Sequence, residues 1–229
     1  MASQSAGIGE EAGSRRLPRS QGFAEEVMKV IRSDIMSLRI PPDTRISIDQ
    51  LARELGVSQT PIREALSQLE AMGLVTKRHY VGYCSAPQLS RKQLDELYEA
   101  RLLLEPYAAR RAAQRMTAQV ADELQRLSAA MGPHNAFDAY DQFAQLDSEL
   151  HDAIALASGN GIIQEALSRL HAHFHIFRLR FHSEVTREAH MEHEALIAAL
   201  AGGDAEGAER AMREHIQKSY DRLLPFARD

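Results

Sequence analysis

Apolar residues recur every three or four positions along most of the chain, a spacing typical of amphipathic helices that bury one face. In the N-terminal part this pattern predicts three helices, and a following run of β-branched and aromatic residues predicts a two-stranded hairpin. The predicted limits are 23–38, 48–55 and 58–72 for the helices and 74–85 for the hairpin. Ser47 and Gln50 match a capping box at the start of the second helix, and Ser58 supplies a hydroxyl cap for the third.

The rest of the chain carries the helical pattern and no strand pattern. Its predicted helices cover 90–116, 117–131, 138–158, 162–183, 186–201 and 204–224, with N-caps at Ser90, Thr117, Asp138, Thr186 and Asp204. Six amphipathic helices joined by short loops predict an antiparallel all-α bundle. We therefore expect a mainly α protein with a mobile tail over 1–20, an N-terminal domain over 21–85, a linker over 86–89 and a helical domain over 90–229.

The composition excludes several classes of protein. With 44% hydrophobic and 26% charged residues, the chain is neither wholly disordered nor collagen-like. The single cysteine, Cys84, cannot form an internal disulfide, and no apolar run is long enough to cross a bilayer. These features lead us to expect a cytoplasmic protein without membrane association.

The net charge of −5 is distributed unevenly. Residues 1–86 carry 11 Lys and Arg against 10 Asp and Glu, which leaves 16 against 22 for the remaining residues. An acidic balance disfavours a protein that coats nucleic acid non-specifically. It is compatible with a small local surface that reads DNA.

The order of the N-terminal elements is that of a winged helix-turn-helix. A support helix is followed by two short helices, which are joined by a turn at Gly56, and then by a hairpin with a basic tip. The third helix is narrow enough to enter a major groove. Its first turn presents Ser58, Gln59, Thr60 and Arg63.

Three polar residues at the hairpin tip complete this candidate DNA-binding surface. Lys77, Arg78 and His79 would reach the DNA backbone or the minor groove. Each of these side chains, taken alone, could be an ordinary exposed residue. Their placement on the same face as the third helix favours binding of double-stranded DNA.

Four polar residues interrupt the apolar stripes of the predicted bundle. Asp147 and His151 lie one turn apart on the inner face of one helix, and His193 and His215 lie on the inner faces of the last two. Burying them unpaired would be costly, so they should either satisfy one another or share an ion. One carboxylate and three imidazoles suit a divalent first-row metal with open positions for water or a ligand.

Arg101 adds a guanidinium to the apolar stripe of the helix predicted over 90–116. A buried guanidinium needs an anionic partner. One possibility is Glu105, one turn further along the helix, and the other is a small carboxylate ligand, because the guanidinium fork matches carboxylate geometry. Both possibilities remain open at the level of the sequence.

The run LARELGVSQTPIREALSQLEAMGLV, residues 51–75, closely resembles the DNA-binding signature of the GntR family of bacterial transcription regulators. The resemblance implies that Arg63 contacts DNA, with Ser58, Gln59 and Thr60 nearby. Members of the family often carry arginine where this chain has Gln59. Because glutamine pairs with adenine more readily than with guanine, we expect the operator to differ from the commoner sites of the family.

The second half of the chain resembles the FCD-type ligand-binding domain of the FadR subfamily. The matching features are the Arg101-x-x-x-Glu105-Pro106 segment, the Asp147-x-x-x-His151 pair, and His193 and His215 on the last two helices. The resemblance implies a bound divalent metal, zinc first and manganese or nickel as alternatives. It also implies a small organic acid as effector.

These features together predict a homodimeric, ligand-responsive regulator that binds an inverted repeat of operator DNA and is not an enzyme. We expect the protein to repress transcription, because repression is more common than activation in this family. Three alternatives differ in the use of the metal: a sensor of the ion itself, a purely structural ion, and, less favoured because no general base stands near the quartet, a metalloenzyme.

Overall fold

The computed structural model describes residues 20–132, 137–170 and 183–227. Its elements are α1 (Ser20–Met36), α2 (Ile48–Leu55), α3 (Gln59–Ala71), β1 (Val75–Arg78), β2 (Gly82–Ser85), α4 (Arg91–Gln114), α5 (Ala118–Ala130), α6 (Phe137–Ala157), α7 (Gly161–Leu170), α8 (Ser183–Ala201), α9 (Ala205–Leu223) and a 3-10 turn (Leu224–Phe226). The protein is mainly α, with a winged helix-turn-helix followed by a helical bundle, as the sequence predicts. None of the described helices is long and apolar enough to cross a membrane.

The N-terminal domain is held together by the packing of α1 against α3. Ile31 and Ile35 of α1 and Ile62 and Leu66 of α3 are fully buried, in agreement with the helical spacing of apolar residues. β1 and β2 pair antiparallel, with Val75 opposite Ser85 and Arg78 opposite Gly82. This hairpin forms the wing.

The helix ends of this domain differ in detail from the prediction. Ser47 caps α2 by accepting a hydrogen bond from the backbone N–H of Gln50. The Gln50 side chain, however, donates to Glu54 one turn further along, so the second hydrogen bond of the predicted capping box is replaced. Ser58 occupies the N-cap position of α3, but its hydroxyl makes no cap hydrogen bond, so the predicted hydroxyl cap is wrong.

The connection between the two parts of the chain is short and anchored at both ends. The backbone N–H of Ala86, a buried residue, donates to the carbonyl of Leu74 at 2.9 Å. At the other end Ser90 caps α4 in a complete capping box with Gln93. Only residues 87–89 lie between these two anchors.

The bundle is organised around α4, which packs against α9, α6, α7 and α8. α5 lies against α6 and α8, and α1 of the N-terminal domain contacts α6. The inner faces supply the apolar core, and the fully buried side chains on them include Leu94, Leu124, Leu150, Leu196 and Ile216. The helix that carries two of the candidate metal ligands is therefore also in contact with the DNA-binding domain.

Two predicted helix starts are wrong, and two predictions lie partly outside the described residues. Asp138 and Thr186 are not N-caps, since the helical backbone already begins at Phe137 in α6 and at Ser183 in α8. Of the tail predicted to be mobile over 1–20, residues 1–19 lie outside the described residues, and position 20 is the first of α1. The helix predicted over 162–183 is described as α7 only as far as Leu170.

Candidate metal centre and DNA-binding surface

The structure brings the four candidate metal ligands together in the interior of the bundle. Asp147 and His151 come from α6, His193 from α8 and His215 from α9, and all four are buried. One ligand atom from each lies within 4.8 Å of the others. The His193 Nε2 atom is 3.2 Å from Oδ1 of Asp147, and the three imidazole centroids are 4.6 to 5.6 Å apart.

Two of these imidazoles are held by glutamates. Glu105 Oε2 lies 2.5 Å from Nδ1 of His151, and Glu192 Oε2 lies 2.8 Å from Nδ1 of His215. A carboxylate only accepts hydrogen bonds, so in both pairs Nδ1 is the donor. The lone pair of each ring is then at Nε2, the atom available to bind a cation.

Each of the two glutamates is held in turn by an arginine. Nε of Arg101 donates to Glu105 Oε1 at 2.5 Å, and Nη1 of Arg222 donates to Glu192 Oε1 at 2.6 Å. The structure thus contains two Arg–Glu–His arrays, which are Arg101–Glu105–His151 and Arg222–Glu192–His215. Sequence reasoning considered Glu105 only as a partner for Arg101 and missed Glu192 and Arg222.

The electrostatics of the arrays keep both glutamates ionised. Burial acts to raise the pKa of Glu105, but the charge of Arg101 and the hydrogen bonds from His151 and Arg101 outweigh it, so that pKa lies well below its ordinary value. Burial also acts to raise the pKa of Glu192, but hydrogen bonds from His215 and Arg222 outweigh this effect and lower the pKa to about 2.

Burial lowers the pKa of His215 below its ordinary value, although the contact with Glu192 acts in the opposite direction. The neutral imidazole is therefore favoured. This is the form that binds metal ions.

The donor set fits a divalent cation. Two atoms that each lie about 2.1 Å from one zinc ion are roughly 3 to 4 Å apart, so a small contraction of the quartet would bring its atoms into range. Imidazoles backed by carboxylates are the usual arrangement around metal-binding histidines. The residues present therefore suit the ion that the sequence predicts, with Asp147 supplying the negative charge.

Arg101 forms the internal ion pair with Glu105, which is one of the two partners considered from the sequence. This ion pair does not use all of the N–H donors of Arg101. Nη2 of Arg101 is buried and has no hydrogen-bond partner among the described residues. The guanidinium also lies 5.2 Å from the ring of Tyr98, whose hydroxyl is within 2.7 Å of Ser219 on α9. One buried donor thus remains for an anionic group beside the quartet.

The predicted DNA-reading residues of α3 all lie on an exposed face, and these are Ser58, Gln59, Thr60 and Arg63. The Gln59 amide connects two neighbours: its Nε2 donates to Asp49 of α2 at 2.5 Å, and its Oε1 accepts from Arg63 at 3.2 Å. Asp49 thereby fixes which way the amide of Gln59 points. The role of Asp49 was not predicted from the sequence.

The wing residues are exposed as well, but one has an internal partner. Arg78 forms an ion pair with Asp43 in the segment between α1 and α2. Nζ of Lys77 lies 5.7 Å from the centroid of the Tyr83 ring. At the tip, Tyr80 is 98% exposed and has a φ of 62°, and the ring of His79 packs edge-on against it. Phosphate would therefore compete with Asp43 for Arg78.

Comparisons with known proteins agree with both halves of this picture. A sequence model described as "Bacterial regulatory proteins, gntR family" matches residues 23–84, and one described as "FCD domain" matches residues 96–218. The chain belongs to the GntR family and carries an FCD domain. GntR regulators bind operator DNA, so the winged helix-turn-helix is the DNA-binding domain of this regulator.

The relatives of this GntR-family protein are transcription regulators. It is 30% identical to a "Probable D-xylose utilization operon transcriptional repressor" of Paenarthrobacter nicotinovorans over 90% of each chain. It is 29% identical to the HTH-type transcriptional repressor GlaR of Escherichia coli K12, over 81% of this chain and 89% of that protein. The solved structure of E. coli McbR/YncC has a similar fold, with a TM-score of 0.66 at 24% identity over 89% of this chain and 97% of that one. The protein is thus a transcription regulator and not an enzyme.

Proposed function

We propose that this GntR-family regulator is a repressor whose FCD domain binds a divalent cation and a small carboxylate effector. The cation ligands are Asp147, His151, His193 and His215, with zinc as the first candidate and manganese or nickel as alternatives. The observation that carries the proposal is the burial of four ligand atoms from three helices within 4.8 Å of one another. If these four positions had no ligand to bind, apolar residues would fill them at a far lower cost in free energy, because burying polar groups is unfavourable.

The chain's own groups define what would bind beside the cation. A bound divalent ion supplies positive charge and open coordination positions for an anion. Arg101 would contribute its free Nη2 donor to the same anion, since guanidinium and carboxylate match in geometry. The ion pair with Glu105 would hold the guanidinium in place. A small organic acid is the class of ligand that this combination favours.

The route from effector to DNA runs through helix packing. An acid bound between Arg101 of α4 and the ligands of α6 changes how these two helices pack. Because α1 contacts α6, such a change alters the orientation of the DNA-binding domain. Linkage then requires that the effector and the operator change each other's affinity by the same factor.

Repression and a dimeric assembly complete the proposal. The two relatives described above are repressors by name. A single winged helix buries too little surface for tight specific binding, whereas two copies related by a two-fold axis would read an inverted repeat.

The metal part of the proposal is tested on the full chain with zinc alone. Protein is stripped with a chelator, and zinc binding is measured by titration calorimetry for the wild type, for His151→Ala and for His190→Ala. His190 lies on α8 outside the quartet and is the matched control. We expect one zinc per chain in the wild type and in the control and at least 100-fold weaker binding in His151→Ala. Equal binding by all three proteins would contradict the proposal.

The effector part is tested on operator DNA selected from a random-sequence library with the zinc-loaded protein. A panel of small organic acids is then added to the DNA complex in a mobility-shift titration. We expect at least one acid to release the DNA from the wild type and to have no effect on Arg101→Lys. If no acid in a panel of mono-, di- and tricarboxylates changes the DNA affinity, the effector assignment is wrong.

A sensor of the metal ion itself is the second candidate, and the Arg101–Glu105 ion pair favours it, because the pair already neutralises the guanidinium. The same DNA complex distinguishes the two. If stripped and zinc-loaded proteins differ at least tenfold in DNA affinity with no acid present, the ion is the signal. If the DNA affinities of the two proteins differ only after an acid is added, the acid is the signal.

A further inference from the structure

One face of α4 carries exposed residues that the fold and the proposed ligand site leave unused. At 100° per residue, the side chains that point within about 40° of Leu103 share this side of the helix. Seven residues of α4 meet this condition, and the central five form the surface that we name the α4 face, which are Glu96, Glu99, Leu103, Tyr107 and Arg110. Lys92 and Gln114 lie beyond its two ends.

The centre of the α4 face is apolar and open. Leu103 is 71% exposed and Tyr107 is 45% exposed, which is unusual for two large side chains one turn apart. Beside them a groove of about 320 Å³ runs between α4 and α9, with Leu102 and Leu103 on one wall and Arg213 on the other. An apolar centre together with aromatic and arginine side chains is typical of protein–protein interfaces.

The charges on the α4 face run in one direction along the helix. Glu96 and Glu99 lie towards its N-terminus, and Arg110 lies towards its C-terminus. Glu96 contacts Lys92 at 3.6 Å and Arg110 contacts Glu209 at 3.0 Å, but the Glu96 and Arg110 side chains remain 61% and 41% exposed. Both charges are therefore accessible to a partner.

This order of charges is complementary to itself. If two α4 helices lie antiparallel with a two-fold axis at Leu103, position 103 meets its own copy and position 96 meets position 110. Glu96 of each copy then faces Arg110 of the other, and the exposed leucines cover each other. A parallel arrangement would instead bring like charges together.

From this complementarity we infer that the α4 face is the surface through which two copies of the chain associate, antiparallel and with Leu103 at the two-fold axis. The inference rests on the dimer in the proposed function and specifies its surface. It also places α4, which carries Arg101, at the centre of the dimer. Effector-dependent movement of α4 would then act on the spacing of the two DNA-binding domains directly.

Charge reversal tests the register of this interface. Glu96→Arg and Arg110→Glu each place like charges opposite one another, so each should raise the dimer dissociation constant at least tenfold in sedimentation velocity. The double variant restores the attraction and should return to within about threefold of the wild type. Loss of the internal Arg110–Glu209 contact alone would not be repaired in the double variant, so this recovery is specific to the interface.

Matched controls come from an exposed ion pair on another helix. Glu123 and Arg126 of α5 are bonded to each other at 2.7 Å, and reversing either charge should leave the dissociation constant unchanged. If the single α4 variants associate like the wild type, or if the double variant is as weak as the singles, the inference is overturned.

A cysteine at the proposed axis provides an independent measurement. Leu103→Cys should form a disulfide-linked dimer under mild oxidation, whereas Leu156→Cys, at a 63% exposed position on α6, should not. The native Cys84 is buried and should not react. A dimer that does not crosslink through position 103 overturns the inferred surface and leaves the dimeric regulator intact. A wild type that is monomeric at micromolar concentration overturns both, while zinc binding still tests the metal centre separately.

Discussion

Nδ1 of His215 donates a hydrogen bond of 2.8 Å to Glu192, a contact that joins α9 to α8 directly beside the candidate metal ligands. The contact orients the imidazole so that Nε2 faces the quartet. Glu192 therefore acts on the site by positioning a ligand rather than by binding the ion.

Replacing Glu192 with glutamine should weaken zinc binding by about tenfold or more, since removing a carboxylate behind a metal-binding histidine typically costs 10- to 100-fold in affinity. The isosteric amide removes the charge and keeps the volume, so the fold should be retained. Titration calorimetry with zinc measures the effect. Glu194→Gln, an exposed glutamate on the same helix, is the control, and equal losses in both variants would show that Glu192 has no special role.

The Arg101–Glu105 pair should behave as a buried charge pair in stability measurements. Arg101→Met leaves Glu105 ionised in the interior with one partner fewer, and we expect the free energy of unfolding to fall by about 3 kcal/mol. The double variant Arg101→Met, Glu105→Gln removes the uncompensated charge and should recover part of this loss. Urea unfolding curves measure both.

For comparison, Arg126→Met removes an exposed arginine of α5 and should change the free energy of unfolding by about 0.5 kcal/mol or less. A double variant that is less stable than the Arg101→Met single variant would contradict the expected coupling between the two charges.

Tyr98 should give the protein a specific sensitivity to alkaline pH. Burial raises the pKa of its hydroxyl to about 12, against the smaller opposing effect of Arg101. The folded state thus holds this proton more tightly than the unfolded state, so its contribution to stability is complete below pH 10 and is lost as the pH rises towards 12. Between pH 9 and pH 11 the expected loss is about 1.3 kcal/mol.

Urea unfolding of the wild type and of Tyr98→Phe at these two pH values measures this contribution. The variant lacks the ionisable group and should lose less stability on going to pH 11, although it begins lower because the contact with Ser219 is absent. Tyr80→Phe, altered at the exposed tip of the wing, should follow the wild type. Identical pH dependence in all three proteins would contradict the assignment to Tyr98.

The DNA-binding surface should separate into residues that read bases and residues that bind phosphate. Arg63→Ala should reduce affinity for the selected operator by about 1 to 3 kcal/mol and relax specificity at the position it reads. Lys77→Ala should weaken binding to all sequences alike and lower the salt dependence by about one charge. Fluorescence anisotropy at several salt concentrations distinguishes the two, with Arg126→Ala as a control away from this surface. Equal loss of specificity in both variants would refute the division.

The sequence was sufficient to predict the quartet because helical periodicity alone places Asp147, His151, His193 and His215 on inner faces. It was insufficient for Glu192, which is one residue from His193 and therefore 100° around α8, at the edge of the buried face. Whether such a position meets solvent or another helix depends on how α8 packs against α9, and periodicity does not contain that information. Arg222 was missed for the same reason.

Predictions from local sequence motifs also failed where other side chains competed for the same hydrogen-bonding groups. The Gln50 side chain bonds to Glu54, its i, i+4 partner on α2, at 2.8 Å rather than to the backbone at Ser47. The roles of Asp49 on α2 and of Asp43 before it depend on the fold of the domain, which brings the first beside Gln59 and the second beside Arg78 of the wing. These contacts join residues 10 and 35 positions apart, beyond the range of a helical pattern.

The anchoring of Ala86 to Leu74 limits how far the DNA-binding domain can move away from the helical bundle. Because only residues 87–89 lie between Ala86 and the cap at Ser90, the Cα atoms of Ala86 and Ser90 are separated by at most about 14 Å. In the proposed dimer, so short a connection would not let the two DNA-binding domains find the halves of an inverted repeat independently of each other. The helical bundles of that dimer would therefore determine the number of base pairs between the two halves of the operator.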